Sequence, residues 1–198
     1  MSTQIHLVTG GAGFLGSHLI DRLMEAGEEV ICLDNYFTGR KANIAHWIGH
    51  PRFELIRHDV TEPIKLEVDR IWHLACPASP IHYQFNPVKT AKTSFLGTYN
   101  MLGLARRVGA RLLLASTSEV YGKNPKETWC EEDDLVYGPT TRARWSYGAS
   151  KAIDEFLALG YWRQSRLPCV IARFFNVVGP RQTGAYGMVR SEEHTSEL

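Results

Sequence analysis

The chain has 198 residues, of which 44% are hydrophobic, and its formal net charge is +1. This length and composition predict one domain with a buried core, and the near-neutral charge gives no electrostatic basis for binding nucleic acid or an anionic membrane. No apolar run approaches the roughly 20 residues that span a bilayer. No basic segment followed by an apolar one opens the chain, so we expect a cytoplasmic protein without a signal peptide. The four cysteines lack metal-site spacing, which predicts reduced thiols and no metal.

The predicted elements alternate between apolar strands and helices. Strands are expected at 5–9, 29–34, 53–59, 68–75, 110–116 and 167–175, and helices at 17–26, 87–108 and 145–164. Such alternation is typical of a parallel sheet covered by helices on both faces, so the expected fold class is α/β with a doubly wound, Rossmann-type sheet. A long loop at 122–144 favours a functional role. We interpret 1–190 as this domain and the polar, aperiodic residues 191–198 as a foreign or disordered tail, a natural mobile terminus being the alternative.

A glycine-rich turn follows the first strand and precedes the first helix. Gly10, Gly13 and Gly16 have the spacing that lets a backbone turn tightly against a pyrophosphate at a helix N-terminus. Asp34 ends the next strand, 18 residues beyond Gly16, where a carboxylate can bind the adenosine ribose hydroxyls. A carboxylate there repels a 2′-phosphate, so the pattern favours NAD over NADP, although Arg40 nearby can weaken that preference.

Polar residues also stand at the ends of two later strands. Asp59 can bond an adenine amino group or serve as a strand-end cap. Thr117 and Ser118 can hydrogen-bond a substrate hydroxyl, and Glu119 can act as an acid or base, the alternative being a polar turn.

Tyr147 and Lys151 lie four residues apart in a predicted helix, so both side chains share one face. A lysine ammonium beside a tyrosine favours the phenolate and lowers the tyrosine pKa. Such a tyrosine can take the proton of a sugar hydroxyl while a nicotinamide takes the hydride.

These motifs resemble the extended short-chain dehydrogenases/reductases that modify nucleotide sugars, and the resemblance covers residues 4–190. Residues 1–122 look most like the UDP-glucuronate decarboxylases of that family, and 123–190 look more like nucleotide-sugar 4-epimerases and dehydratases. The decarboxylase-like stretches are 34–41, 73–80, 82–87, 97–111 and 116–122. The chain is either a branch with mixed features or the product of two genes joined near the Glu-Val-Tyr-Gly at 119–122.

The resemblance implies NAD as cofactor, a UDP-sugar as substrate, and a homodimer formed through the helices at 87–108 and 145–164. The implied catalytic residues are Thr117, Glu119, Tyr147 and Lys151. The implied cofactor contacts are Gly10, Gly13, Phe14, Leu15, Gly16, Asp34, Asn35, Thr38, Asp59, Val60, Leu74, Ala75, Thr93, Ala115, Tyr147 and Lys151. The implied substrate contacts are Lys92, Asn100, Gly103, Arg106, Arg107, Ser118 and Asn176, although basic residues on a helix are more often a solvated face.

The implied reaction passes through a 4-keto sugar. UDP-glucuronate decarboxylation to UDP-xylose is expected first, with 4-epimerisation, 4,6-dehydration or an inactive NAD-binding fragment as alternatives. Family members are longer, and the chain is expected to be truncated before a downstream catalytic arginine and most of the substrate domain.

Overall fold

The computed structural model of the chain describes residues 3–79 and 84–183. The strands are β1 (Ile5–Thr9), β2 (Glu29–Asp34), β3 (Phe53–Arg57), β4 (Arg70–His73), β5 (Arg111–Thr117) and β6 (Cys169–Phe174), and the helices are α1 (Phe14–Glu25), α2 (Pro87–Val108) and α3 (Trp145–Ser165). Every predicted strand and helix is confirmed, and with them the α/β fold class. The predicted tail at 191–198 lies outside the described residues.

All six strands form one parallel sheet in the order β3-β2-β1-β4-β5-β6. The chain runs outward from β1 to β3 and then returns to the other side of β1 with β4. In such a sheet the crevice where the order reverses lies at the carboxyl ends of the strands, and ligands bind there. Thr9 and His73, the last residues of β1 and β4, are paired across this point.

The core lies on both faces of the sheet because each central strand is apolar at successive residues. Leu7 packs in one cluster with Ile71, Leu112 and Met101. Its neighbour Val8 packs in the opposite cluster with Ile20 of α1. The sheet is therefore buried on both sides, and its polar residues concentrate at the strand ends.

Several predicted boundaries were wrong by a few residues. The strands predicted at 53–59 and 68–75 end at Arg57 and His73, so Asp59, Leu74 and Ala75 lie in loops. The first helix begins at Phe14 rather than at residue 17, directly after the glycine turn. Two 3₁₀ helices, Lys41–Trp47 and Ser118–Tyr121, were not predicted.

Within the part of the chain that the structure describes, no helix combines the length and apolarity needed to cross a bilayer. The cytoplasmic location expected from the sequence stays a prediction.

Candidate active site

A cavity of about 440 Å³ opens at the carboxyl ends of the strands, in the range of small-molecule sites. The glycine turn and the end of β2 form one wall, and β5, α3 and the residues after β6 form the other. It therefore occupies the crevice that the strand order predicts.

The glycine turn is shaped by close backbone packing. Gly10 has a φ of 70°, a conformation that glycine adopts readily. A Cβ on Gly16 would overlap the Gly10 carbonyl oxygen and lie 2.7 Å from the Gly11 Cα. Helix α1 begins one residue after Gly13, without a side-chain cap. Its first N–H groups and the positive end of its dipole thus suit a pyrophosphate.

Asp34 is fixed at the cavity wall by backbone hydrogen bonds. Its carboxylate accepts the Ala12 N–H at 2.9 Å and the Tyr36 N–H at 2.7 Å, and the residue is only 7% exposed. Burial raises the pKa of Asp34, and these two hydrogen bonds offset part of that effect. A carboxylate oxygen can accept more than one hydrogen bond, so Asp34 retains capacity for hydroxyl groups in the cavity.

Tyr147 and Lys151 both line the cavity from α3, as the four-residue spacing predicts. Both residues are nearly buried, at 6% and 2% exposure. The Lys151 Nζ lies 3.4 Å from an Asp154 carboxylate oxygen on the same helix.

Thr117 and Glu119 face the same cavity from the end of β5. The Thr117 hydroxyl oxygen accepts the Glu119 N–H at 3.2 Å and caps the 3₁₀ helix that follows. Since that bond uses the hydroxyl oxygen as acceptor, its proton remains to be donated. The Glu119 carboxylate is 40% exposed and 3.9 Å from the Arg144 guanidinium.

A buried side-chain cluster supports β5 and α3. The Glu155 carboxylate accepts from Arg173 Nη2 at 2.7 Å and Arg173 Nε at 3.0 Å, and from the Ser116 hydroxyl. The Arg173 guanidinium also lies 4.8 Å from the centre of the Tyr121 ring. The hydrogen bonds that Arg173 donates to Glu155 raise the pKa of Arg173, so the guanidinium stays charged.

His73 lies at the junction of β1 and β4. Its Nδ1 is 2.8 Å from the Thr9 hydroxyl oxygen, which accepts the Ala75 N–H at 3.3 Å. Burial, helped by the Lys151 charge, lowers the pKa of His73 to about 3. His73 is therefore a neutral core residue.

The structure brings most of the predicted contacts to this cavity. Those that line it are Gly10, Gly13, Phe14, Leu15, Gly16, Asp34, Asn35, Thr38, Val60, Leu74, Ala75, Thr93, Ala115, Thr117, Ser118, Glu119, Tyr147, Lys151 and Asn176.

The remaining predicted contacts do not line the cavity: Asp59, Lys92, Asn100, Gly103, Arg106 and Arg107. The Asp59 carboxylate instead accepts from Lys89, Thr61 and Asn35, and although burial raises its pKa, these bonds lower it overall. Asp59 thus orients Asn35, which does line the cavity.

The other predicted contacts that do not line the cavity all lie on α2. The Asn100 amide donates to the Val60 carbonyl at 2.9 Å, and Arg107 pairs with Glu67. Lys92 and Arg106 are exposed, as on a solvated face. Their role as substrate contacts stays a prediction that this cavity does not support.

Sequence reasoning missed Asp154, Glu155 and Cys76. Cys76 lines the cavity, and burial raises its pKa. Asp154 carries a readable signal, since it is three residues from Lys151 on a helix. Glu155 carries none, because its partners are distant in sequence. Among the described residues, no group of three or more His, Cys, Asp or Glu side chains is placed to hold a metal.

Comparison with known proteins agrees with this architecture. The family model for GDP-mannose 4,6 dehydratase matches residues 7–190. UDP-glucuronic acid decarboxylase 3 of Arabidopsis thaliana is 56% identical over 191 residues, which cover 93% of this chain and 54% of the relative. That match continues past residue 122, where the motif pattern changes. The chain thus spans about half the length of this curated relative.

Two solved structures share the fold. UDP-N-acetylglucosamine 4-epimerase from Methanobrevibacter ruminantium M1 has a TM-score of 0.84 at 26% identity, over 96% of this chain and 60% of that one. A dTDP-glucose 4,6-dehydratase double mutant from Streptomyces venezuelae, solved with NAD bound, has a TM-score of 0.77 at 30% identity, over 89% of this chain and 57% of that one.

The fold and the site define a short-chain dehydrogenase/reductase of the extended, nucleotide-sugar type, which confirms the resemblance. Within that class, the chain belongs to the GDP-mannose 4,6 dehydratase family.

Proposed function

We propose that the protein binds NAD and oxidises C4 of a UDP-sugar, and that its reaction is decarboxylation of UDP-glucuronate to UDP-xylose. The observation that carries the proposal is the convergence of the glycine turn, Asp34, Thr117, Tyr147 and Lys151 on one cavity. The identity to a UDP-glucuronic acid decarboxylase supports this substrate.

The residues of the cavity fit NAD. The space beside Gly16 is too narrow for a side chain, the N-cap residue of α1 is a glycine, and Asp34 lies in the cavity wall. The glycine turn would hold the pyrophosphate and Asp34 the adenosine ribose. When bound, NAD supplies an acceptor for the C4 hydride and later returns that hydride.

Tyr147 is the base in this reaction. As phenolate it takes the proton of the sugar 4-hydroxyl, while the Thr117 hydroxyl shares a hydrogen bond with the same oxygen. The Lys151 ammonium favours the phenolate electrostatically. The product is a 4-keto acid whose carboxylate lies β to the ketone.

Such an acid loses carbon dioxide readily. The electrons of the C5–C6 bond move into the C4 carbonyl to form an enolate, which a proton at C5 converts back to the ketone. Glu119, which lines the cavity and is partly exposed, can assist that proton transfer. Tyr147 then returns its proton to the C4 oxygen when the ketone is reduced.

Two alternatives have support of their own. The structural similarity to a 4-epimerase and a 4,6-dehydratase favours other fates of the same 4-keto sugar. The chain length, about half that of the Arabidopsis relative, favours an inactive NAD-binding fragment.

Product analysis separates these functions. The purified protein is incubated with NAD and UDP-glucuronate, and carbon dioxide and UDP-xylose are measured; both are expected in equal amounts. A parallel incubation contains UDP-glucose in place of UDP-glucuronate, and its conversion to UDP-galactose would select the epimerase. Bound NAD without turnover of either sugar would select the fragment.

We also propose a homodimer formed through α2 and α3. Large apolar side chains remain exposed on these neighbouring helices: Phe95 and Tyr99 on α2, and Ile153, Phe156, Leu159 and Trp162 on α3. Two copies of such a helix pair can cover each other's apolar faces as a four-helix bundle. Sedimentation should give twice the chain mass, and Phe156→Glu should give the monomer. A monomeric wild type would contradict the proposal.

A further inference from the structure

Asp154 is a fully buried carboxylate beside the lysine of the candidate active site. It has 0% exposure, and its Oδ2 lies 3.4 Å from the Lys151 Nζ, whose side chain is 3% exposed. An unpaired ammonium in such surroundings is costly, by several kcal/mol. Something must therefore compensate the Lys151 charge.

Among the described residues, the other nearby carboxylates have different partners. Glu155 forms its two-bond pair with Arg173 and also accepts from Ser116. Glu119 is paired with Arg144 and is partly exposed. Asp154 is thus the carboxylate that faces Lys151.

Asp154 is itself fixed by the neighbouring helix. The Ser94 hydroxyl of α2 donates to Asp154 Oδ2 at 2.6 Å, and Ser94 is also fully buried. The carboxylate therefore has a set position relative to both helices. Asp154 Oδ1 has no hydrogen-bond partner among the described residues. The Lys151 ammonium, 3.4 Å from Oδ2, is the cation that offsets the charge of the carboxylate.

We propose that Asp154 is a positioning residue of the active site, which compensates the charge of the Lys151 ammonium and holds that group toward the cavity, with Ser94 orienting Asp154. The inference rests on the proposed function in so far as Lys151 serves NAD and Tyr147. Asp154 itself does not line the cavity, so it acts through Lys151.

A double-mutant cycle tests this role without requiring turnover. Asp154→Asn, Lys151→Met and the double variant are compared with wild type by thermal unfolding and by titration with NAD. Ser150→Ala is the matched control, since it removes a buried hydroxyl of α3 that donates to the Tyr147 carbonyl.

Asp154→Asn should lower Tm by about 10 °C, because it leaves a buried ammonium unpaired. The double variant should melt at a higher temperature than Asp154→Asn, since it has no charge to compensate. Asp154→Asn and Lys151→Met should each weaken NAD binding about tenfold, and the double variant should be no weaker than Lys151→Met alone. The control should bind NAD like wild type.

Additive losses in Tm and in NAD affinity would overturn the proposal, because they would make Asp154 a structural residue independent of Lys151. If Asp154→Asn does not fold, Ser94→Ala provides the second variant. It keeps both charges and should weaken NAD binding about threefold only while Lys151 is present, and an equal loss in the Lys151→Met background would overturn the inference. If wild type binds no NAD, the proposed function fails, and the Tm cycle alone decides the role of Asp154.

Discussion

The two walls of the cavity are built in different ways. The wall formed by β1, β2 and α1 is backbone: glycines pack against carbonyls, and the Asp34 carboxylate is held by N–H groups of residues 12 and 36. The wall formed by β5, β6 and α3 is held by two buried ion pairs, Lys151–Asp154 and Arg173–Glu155.

This difference fits the roles proposed for the two walls. A pyrophosphate needs backbone N–H groups at short range, which only a turn without side chains allows. Proton transfer needs a tyrosine and a cation in fixed positions, and a buried cation needs a compensating anion. The first wall should therefore be sensitive to added atoms and the second to removed charges.

The largest effect is expected where a charge is removed from the second wall. Glu155→Gln leaves the Arg173 guanidinium, only 14% exposed, without its anion. Breaking such a pair should lower the free energy of unfolding by about 3 kcal/mol, measured by urea denaturation. Glu67→Gln breaks the exposed pair with Arg107 and should cost less than about 1 kcal/mol. Equal losses of unfolding free energy in the two variants would mean that the buried pair of the second wall contributes no more to stability than an exposed pair.

An added methyl group tests the first wall. The new Cβ in Gly16→Ala would meet the Gly10 carbonyl and the Gly11 Cα, neither of which can rotate away. We expect NAD affinity to fall at least 100-fold, about 2.7 kcal/mol, measured by calorimetric titration.

Gly160→Ala is the matched control for that variant. It is also a helical glycine, but a Cβ there would contact nothing within 4 Å, so NAD affinity should be unchanged and stability should rise by up to about 1 kcal/mol. Wild-type affinity in Gly16→Ala would disprove the backbone description of this wall.

A smaller loss of stability, for each unit by which the pH falls, is expected from His73, which lies where β1 and β4 meet. The folded protein buries the neutral ring with a pKa of about 3, whereas the unfolded chain takes up a proton below its ordinary value of 6.5. The unfolded state thus binds more protons between these values, and falling pH should cost about 1.4 kcal/mol of stability per unit. His73→Gln and His73→Asn should both remove that part of the slope in urea denaturation at pH 6 to 4. An unchanged slope in both would show that the His73 ring does not cause it.

The same contrast explains how much could be predicted from sequence. The alternation of strands and helices, the glycine turn and the Tyr147–Lys151 spacing are local patterns, and the structure confirms the elements and brings these residues to one cavity. The Ser94–Asp154 and Ser116–Glu155 bonds join residues 60 and 39 positions apart. No local pattern encodes them, because they exist only once α2 and α3 pack on the sheet.

The predicted substrate contacts on α2 do not line the cavity, for a related reason. Sequence places Lys92, Asn100 and Arg107 on one helix, but only packing decides which helix face meets the cavity. Thr93 of the same helix does line the cavity. The Asn100 side chain instead reaches the Val60 carbonyl.

In the proposed reaction, Tyr147 removes the proton of a UDP-sugar hydroxyl while NAD is bound in the same cavity. The most direct measurement mixes the NAD-loaded protein with UDP-glucuronate and follows nicotinamide reduction, in wild type and in Tyr147→Phe. We predict reduction in wild type and a rate about 10³-fold lower in Tyr147→Phe, with NAD bound equally by both. Equal reduction rates in the two proteins, or loss of NAD from Tyr147→Phe, would rule out Tyr147 as the base.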